Sequence, residues 1–440
     1  MKTIQTVIVL GFLMAASPMK AQENTILPEP LTIQEAVAIA LKGNPDSAIA
    51  EQRIAQAKAS AAMVESTDYP LVNLSTEYAQ TNNPMYSFGN ILNQGEFDDT
   101  IDFNDPGRTD NLQLKAAVNY RIYNGGQDKA SKASAMASID AMKSNLVQVQ
   151  QQLGFEVVKT FHAAIQAEKM VSVRQQALES FTAALSVGQA RYEAGDLLKQ
   201  DLLNLELQQA TASEDLILSK HSLELTKRSL LNLLGEKEGN LVLSETNRKE
   251  QIPPGAIDYH NRSELVTLSR MKDAALAELE KARGYKRPKV DTFASYQFDN
   301  GWETDGSGDS WMAGIRLNYN LYDGNNANAQ VALAKTRLME LESQIQKTAL
   351  ALSLEVEQAK LNYQQARERL TVTEKMVGVA EEAARIARVR FKEGVILSSD
   401  LIDYETRRSD AQARYFNAEA IYQVSIANLR RVTGLDQFSI

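Results

Sequence analysis

The sequence predicts an internally duplicated α+β membrane protein in which pairs of β-strands feed very long paired helices. Three observations predict it. Landmarks recur at a fixed spacing, the hydrophobic period twice switches from 2 to 3.6, and proline is absent from two long stretches.

The chain is an internal duplication. NYRIYNGGQ from Asn119 returns as NYNLYDGNN from Asn318, 199 residues later, and RYEAGDLLKQDLLNLELQQ (Arg191 to Gln209) returns at the same offset as RFKEGVILSSDLIDYETRR (Arg390 to Arg408). Gly235 and Gly434 keep that offset. Upstream, YPLVNLSTEY from Tyr69 matches RPKVDTFASY from Arg287 at 218 residues, so the first copy carries a loop 19 residues longer, roughly Ala79 to Asn111. The chain divides into a first repeat at 22–235, a connecting segment at 236–262, a second repeat at 263–434 and a short tail at 435–440.

Residues 1–21 have the layout of a signal peptide: Lys2, an apolar run from Ile4 to Ala16, and small residues up to a cut after Ala21. After Ala21 no apolar run approaches the 18 residues of a membrane helix. The absence of cysteine excludes a disulfide-stapled fold and a lipid anchor on an N-terminal cysteine. Removal of Lys2 and Lys20 with the leader takes the formal charge from −9 to −11, which argues against nucleic acid as a partner.

No proline lies between Pro106 and Pro253, or after Pro288, which leaves room for two long helical hairpins at about 126–235 and 325–434. Within them apolar residues step by three and four (Leu146, Val149, Leu153, Val157; Leu338, Leu341, Ile345, Ala349, Leu352, Val356). Steps of seven mark the second helix of each hairpin (Leu216, Leu223, Leu230; Tyr415, Tyr422, Leu429), as in helices packed side by side. The first helix of each hairpin has roughly 65 residues, or about 95 Å at the α-helical rise.

Strand pairs are predicted at about 71–121 and 289–320. Val72, Leu74, Thr76 and Tyr78, then Leu112, Leu114, Ala116, Val118 and Tyr120, alternate with polar or small neighbours. Val290, Thr292, Ala294, Tyr296 and Phe298, then Trp311, Ala313, Ile315, Leu317 and Tyr319, do the same in the second copy. Each run has the length of a transmembrane strand, and Tyr120, Tyr123, Tyr319 and Tyr322 gather at one end like an interfacial girdle. The pattern also fits soluble hairpins with one face on a core, but the helices look committed to one another and offer no lid. Four strands cannot close, a barrel needs about eight, and open edges cannot sit in lipid. The prediction is therefore an oligomer, most simply a trimer with twelve strands.

These motifs in this order, with LTIQEAVAIALKGNP near the mature start and the closing LLNLLG and LRRVTG, resemble the TolC-like outer-membrane efflux family (outer membrane factors) over residues 30–434. The resemblance implies a homotrimeric passive duct, with a 12-stranded barrel in outer-membrane lipid continued by an α-helical barrel across the periplasm. It also makes 236–262 an equatorial segment and implies a periplasmic adaptor and an inner-membrane pump as partners. A soluble periplasmic coiled-coil adaptor or scaffold is the alternative.

Gly195 and Gly394 suit left-handed turns where one helix reverses into the next. Ser398 then reads as an N-cap with Asp400 in the first helical turn, and Asp201 holds the matching place. Helix-end chemistry explains both aspartates. The resemblance offers a second reading, in which Asp201, Asp400 and Asp403 form an acidic ring that narrows the entrance. It also puts adaptor docking at the turns, around Arg191, Tyr192 and Gly195 and around Arg390, Phe391 and Gly394. Some members latch the entrance with a tyrosine and an arginine at places that hold Phe391 and Ile396 here. His162, His221 and His260 are isolated, no metal or cofactor motif occurs, and no catalytic constellation points to an enzyme. Glu96, Asp98, Asp99, Asp102, Asp105 and Asp110 are expected on a solvated extracellular surface.

Overall fold

The computed structural model describes residues 27–244, 253–255 and 257–438; the expected leader lies outside them, as do positions 245–252 and 256. In chain order the elements are α1 (Ile33–Gly43), α2 (Pro45–Glu65), β1 (Leu71–Thr81), α3 (Pro84–Asn93), β2 (Thr109–Asn124), α4 (Gln127–Glu193), α5 (Lys199–Leu234), α6 (Ser263–Gly284), β3 (Lys289–Asn300), β4 (Ser307–Asn318), α7 (Asn326–Lys392) and α8 (Ser398–Val432). No helix among the described residues is long and apolar enough to cross a membrane.

The four strands form one antiparallel sheet in the order β1-β2-β3-β4. Its register places Leu74, Ala116, Tyr296 and Trp311 in one row, with Val72, Val118, Ala294 and Ala313 in the next row on that face. This face is the apolar alternation of the sequence. It is exposed in the single chain, with Leu74 76%, Trp311 76% and Ile315 73% accessible. The opposite face carries Asn73, Ser75, Gln113, Lys115, Asn119, Ser295, Gln297 and Arg316. From Leu112 to Tyr120 the apolar row runs about 27 Å along the strand, close to a bilayer's hydrocarbon height once tilted.

α4 and α7 have 67 residues each, about 100 Å, whereas α5 has 36 and α8 has 35. α5 and α8 therefore flank only the half of each long helix nearest the turns. α2 and α6 flank the other half: α2 packs on α4, and α6 packs on both α4 and α7. The wall stays four helices wide throughout, α5-α4-α8-α7 below and α2-α4-α6-α7 above. The two levels join where α5 ends against the α1–α2 junction. Thr32 caps α1, and its own N–H bonds back to Glu35 Oε2 at 2.9 Å. Asn44 caps α2 through Asp46 N–H at 2.8 Å and donates to the Leu233 carbonyl at 2.9 Å. Gly235, in the left-handed region at φ +84°, lies so near Gly43 that a side chain would strike its carbonyl. The main core sits at this equator: Leu31, Ile33, Val37, Leu153, Val157, Phe161, Leu230, Leu234 and Leu241. The described part of the connecting segment joins it through Leu31 N–H to Val242 O at 2.8 Å.

The structure corrects two expectations about the long first loop. It contains a helix, α3. Asp110 is 1% exposed rather than solvated, and its carboxylate accepts the backbone N–H groups of Trp302 (3.0 Å) and Glu303 (2.8 Å).

Candidate functional site

Both hairpin turns are built alike. Gly195 adopts φ +84°, with Gly195 N–H on Tyr192 O (3.0 Å) and Asp196 N–H on Arg191 O (2.8 Å). Gly394 adopts φ +73°, with its N–H on Phe391 O (3.0 Å) and Val395 N–H on Arg390 O (2.8 Å). These paired bonds satisfy the carbonyls left open at the ends of α4 and α7.

The side chains of the two turns behave differently. Phe391 is 2% exposed and sits in a small core with Ala184, Leu205, Ala387 and Leu401, while its counterpart Tyr192 is 38% exposed. Arg191 binds the turns together. Its guanidinium lies over the Phe391 ring at 5.2 Å, and it donates to the Phe391 carbonyl (3.1 Å) and the Asp196 carbonyl (3.2 Å). Arg390 is exposed. Of the six expected docking residues, Phe391 is therefore enclosed with its carbonyl already bonded, Arg191 is half-buried, and Tyr192, Gly195, Arg390 and Gly394 are exposed.

The aspartates diverge as well. Ser398 is not the N-cap. Leu397 holds that place with extended backbone, and Ser398 is the first residue of α8. The Ser398 hydroxyl is fully buried and donates to Asp201 Oδ1 at 2.7 Å, which ties the start of α8 to the start of α5. Asp400 is exposed and accepts Leu397 N–H at 3.3 Å, the helix-end role. Asp403 pairs with Arg407 at 2.8 Å on the exposed flank, an arrangement that adds little stability. The structure thus brings Asp201 into contact with the second hairpin and leaves Asp400 and Asp403 as carboxylates on α8.

Two residues beyond Asp403 on α8 lies Glu405, the repeat counterpart of Glu206. Glu405 is 1% exposed and pairs with Arg388 and, at 3.2 Å, with Arg408 Nη2, which also reaches Ser180 Oγ of α4 at 3.1 Å. Burial holds the Arg408 guanidinium below its ordinary pKa. Its Nε, inside the seam, has no acceptor among the described residues. The counterpart Glu206 is exposed. The tip therefore offers ion pairs, half-exposed carboxylates and turn backbone, and places no nucleophile against a base. Among the described residues no three His, Cys, Asp or Glu side chains gather to hold a metal ion.

The profile of the outer membrane efflux protein family matches residues 36–236 and 260–435. Outer membrane efflux protein BepC of Brucella suis biovar 1 (strain 1330) is 20% identical over 226 residues, so the chain aligns with half of that protein's length (50% of each). Nodulation protein T of Rhizobium leguminosarum bv. trifolii is 21% identical over 69% of this chain and 67% of its own. The fold is similar to the crystal structure of the Campylobacter jejuni CmeC outer membrane channel, with a TM-score of 0.82 at 15% identity over 100% of this chain and 95% of that one. With the profile matching both repeats, and a sheet that among the described residues is open at both edges, this chain belongs to the outer membrane efflux protein family.

Proposed function

We propose that three copies of this chain close into a passive exit duct through outer-membrane lipid and across the periplasm. The observation that carries this reading is that the single chain is an open wall at both levels. Among the described residues β1 and β4 each lack a second neighbour. At the turn end α5 and α7 are the flanking helices, and both expose apolar residues: Leu203, Leu207, Leu218 and Leu225 on α5, and Val372, Met376 and Val379 on α7. Unpaired strand edges are untenable in lipid, and exposed stripes at helical spacing call for partner helices. Symmetric closure by like subunits satisfies both at once. Three copies give twelve strands around a lumen lined by the polar face of the sheet.

Under this reading Asp201, Asp400 and Asp403 recur three times around the periplasmic mouth, where a ring of carboxylates would favour cations. The exposed turn residues Tyr192, Gly195, Arg390 and Gly394 are the surface offered to a periplasmic adaptor, through which an inner-membrane pump supplies the energy. Membrane fractionation combined with bilayer recording tests the proposal. The protein is expected in the outer-membrane fraction, released by detergent alone, and to conduct after reconstitution. A chain released as a monomer without detergent would support the soluble scaffold instead.

A further inference from the structure

We propose that the β1–β2 loop, residues 82–108, is an inward-folded constriction that sets a size limit at the extracellular mouth. The proposal rests on the conduit reading, which makes the polar face of the sheet the lumen wall.

The loop is fastened to that face. Pairing of β2 with β3 sets Gln113 opposite Asp299 on the polar side of both strands, and Asn111, two residues earlier on β2, shares that side. Gln94, at the end of α3, is 1% exposed; its amide donates to Asp110 O (2.8 Å) and Asn111 Oδ1 (3.0 Å) and accepts from Thr304 Oγ1 (2.5 Å). Asn111 passes the link on to Asp299 Oδ1 at 2.6 Å, and Asp299 is likewise 1% exposed. A buried carboxylate (Asp299) and a buried amide (Asn111) at the end of an otherwise accessible sheet mean that something covers them, and α3 with its following loop is that cover.

Glycines in the second strand pair make the room. Gly308 opposes Asp299 on the polar face, and a side chain there would strike the Asn93 carbonyl. One at Gly306 would strike Glu96, and one at Gly301 would strike Gln94. The β3–β4 hairpin is thus shaped around the β1–β2 loop.

The inset is also internally fixed. Phe88 lies 5.7 Å from Phe97 and 4.3 Å from Phe103 between ring centroids, Ile91 is buried, and Ser87 Oγ donates to Thr81 O at 3.1 Å. Ser87 and Ile91 occupy the inner side of α3, while Met85, Tyr86 and Leu92 stand exposed on the opposite side. Twelve strands enclose a ring only about 25 Å across, and a helix with its side chains is about 10 Å thick. Three such helices laid inward would take up most of that opening.

Because the chain has no cysteine, single cysteines report accessibility cleanly. Ser295→Cys places a thiol on the polar face below the inset, and Asp98→Cys places one on the exposed loop as a control. On intact cells a small maleimide should label both, whereas a bulky polyethylene-glycol maleimide should label Asp98→Cys and react at least about tenfold more slowly with Ser295→Cys. Replacing residues 82–108 with a two-residue turn should abolish that difference. Gln94→Ala, which keeps the hairpin and loses the anchor, should reduce it and gives the same readout if the replacement fails to reach the membrane. Equal labelling of Ser295→Cys by both reagents with the loop intact would overturn the proposal, as would exclusion that persists in both loop variants. Failure of Asp98→Cys to label at all would count against the outer-membrane conduit rather than against the constriction.

Discussion

Glu405→Gln keeps the size of a buried side chain and removes the charge that two arginines share. The Glu405 side chain is 2% exposed, that of Arg408 10% and that of Arg388 42%. Arg388 can extend into water when its partner is lost, so its share is small. Arg408 cannot, because its Nε is enclosed and the Ser180 hydroxyl is the remaining contact of its Nη2. Stranding one buried charge costs about 3 kcal/mol, at the low end for breaking a buried pair because some solvent still reaches the group. At 1.4 kcal/mol per factor of ten, that is about a hundredfold rise in local opening. Hydrogen exchange on detergent-extracted protein reads this directly. Amides of Ser398–Gln412 should exchange about a hundredfold faster, while those of Leu153–Phe161 at the equator stay unchanged. Glu206→Gln, at the exposed counterpart, should leave both segments unaltered, and Arg408→Met added to Glu405→Gln should restore most of the protection. Exchange of Ser398–Gln412 within threefold of the parent would refute the claim that this network fastens α8 to α4.

Other outcomes follow from the same geometry. Ser398→Ala removes a bond to a half-exposed carboxylate, about 1 kcal/mol, so openings in planar bilayers should become about fivefold more frequent; unchanged gating would show that Asp201 does not tie the hairpins. Asp400→Ala with Asp403→Ala should raise conductance or weaken block by divalent cations, and unchanged currents would leave those carboxylates with helix-end chemistry alone. Burial lowers the His162 pKa to about 4, so the folded protein keeps the ring neutral. The penalty is absent above the unfolded value near 6.5 and grows as pH falls from there toward 4, to at most about 3 kcal/mol per chain. His162→Leu should therefore flatten the loss of thermal stability between pH 7 and pH 5, and an unaltered slope would show that the ring does not drive it. Gly235→Ala combines a strained left-handed backbone with a collision against Gly43, so little assembled protein should reach the membrane at 37 °C; normal amounts would contradict the close approach at the equator.

The sheet was legible because a period of two fixes which residues share a face, and the row Leu74, Ala116, Tyr296, Trp311 follows from alternation once the strands pair. The long helices were legible from spacing and from the missing proline. α3 left a signal that the length of its loop obscured: Asn83 as cap, Pro84 in the first turn and Gly95 just past the end mark a short helix, and the structure shows each in that role. The tip was legible as backbone and obscure as packing. Both turns read alike, but Phe391 is buried where Tyr192 is not, and Glu405 is buried where Glu206 is not. The difference arises because α8 packs on α4 within the chain while α5 lies at the flank. A repeat in sequence does not say which copy faces inward. Ser398 looked like a cap for the same reason, since serine serves a helix end and a neighbouring hairpin equally well.

Native mass spectrometry of the protein extracted from outer membranes in mild detergent tests the central claim most directly. The open sheet and open helical wall predict particles of three mature chains and no folded single chain; a stable, folded monomer as the predominant species would contradict closure by like subunits.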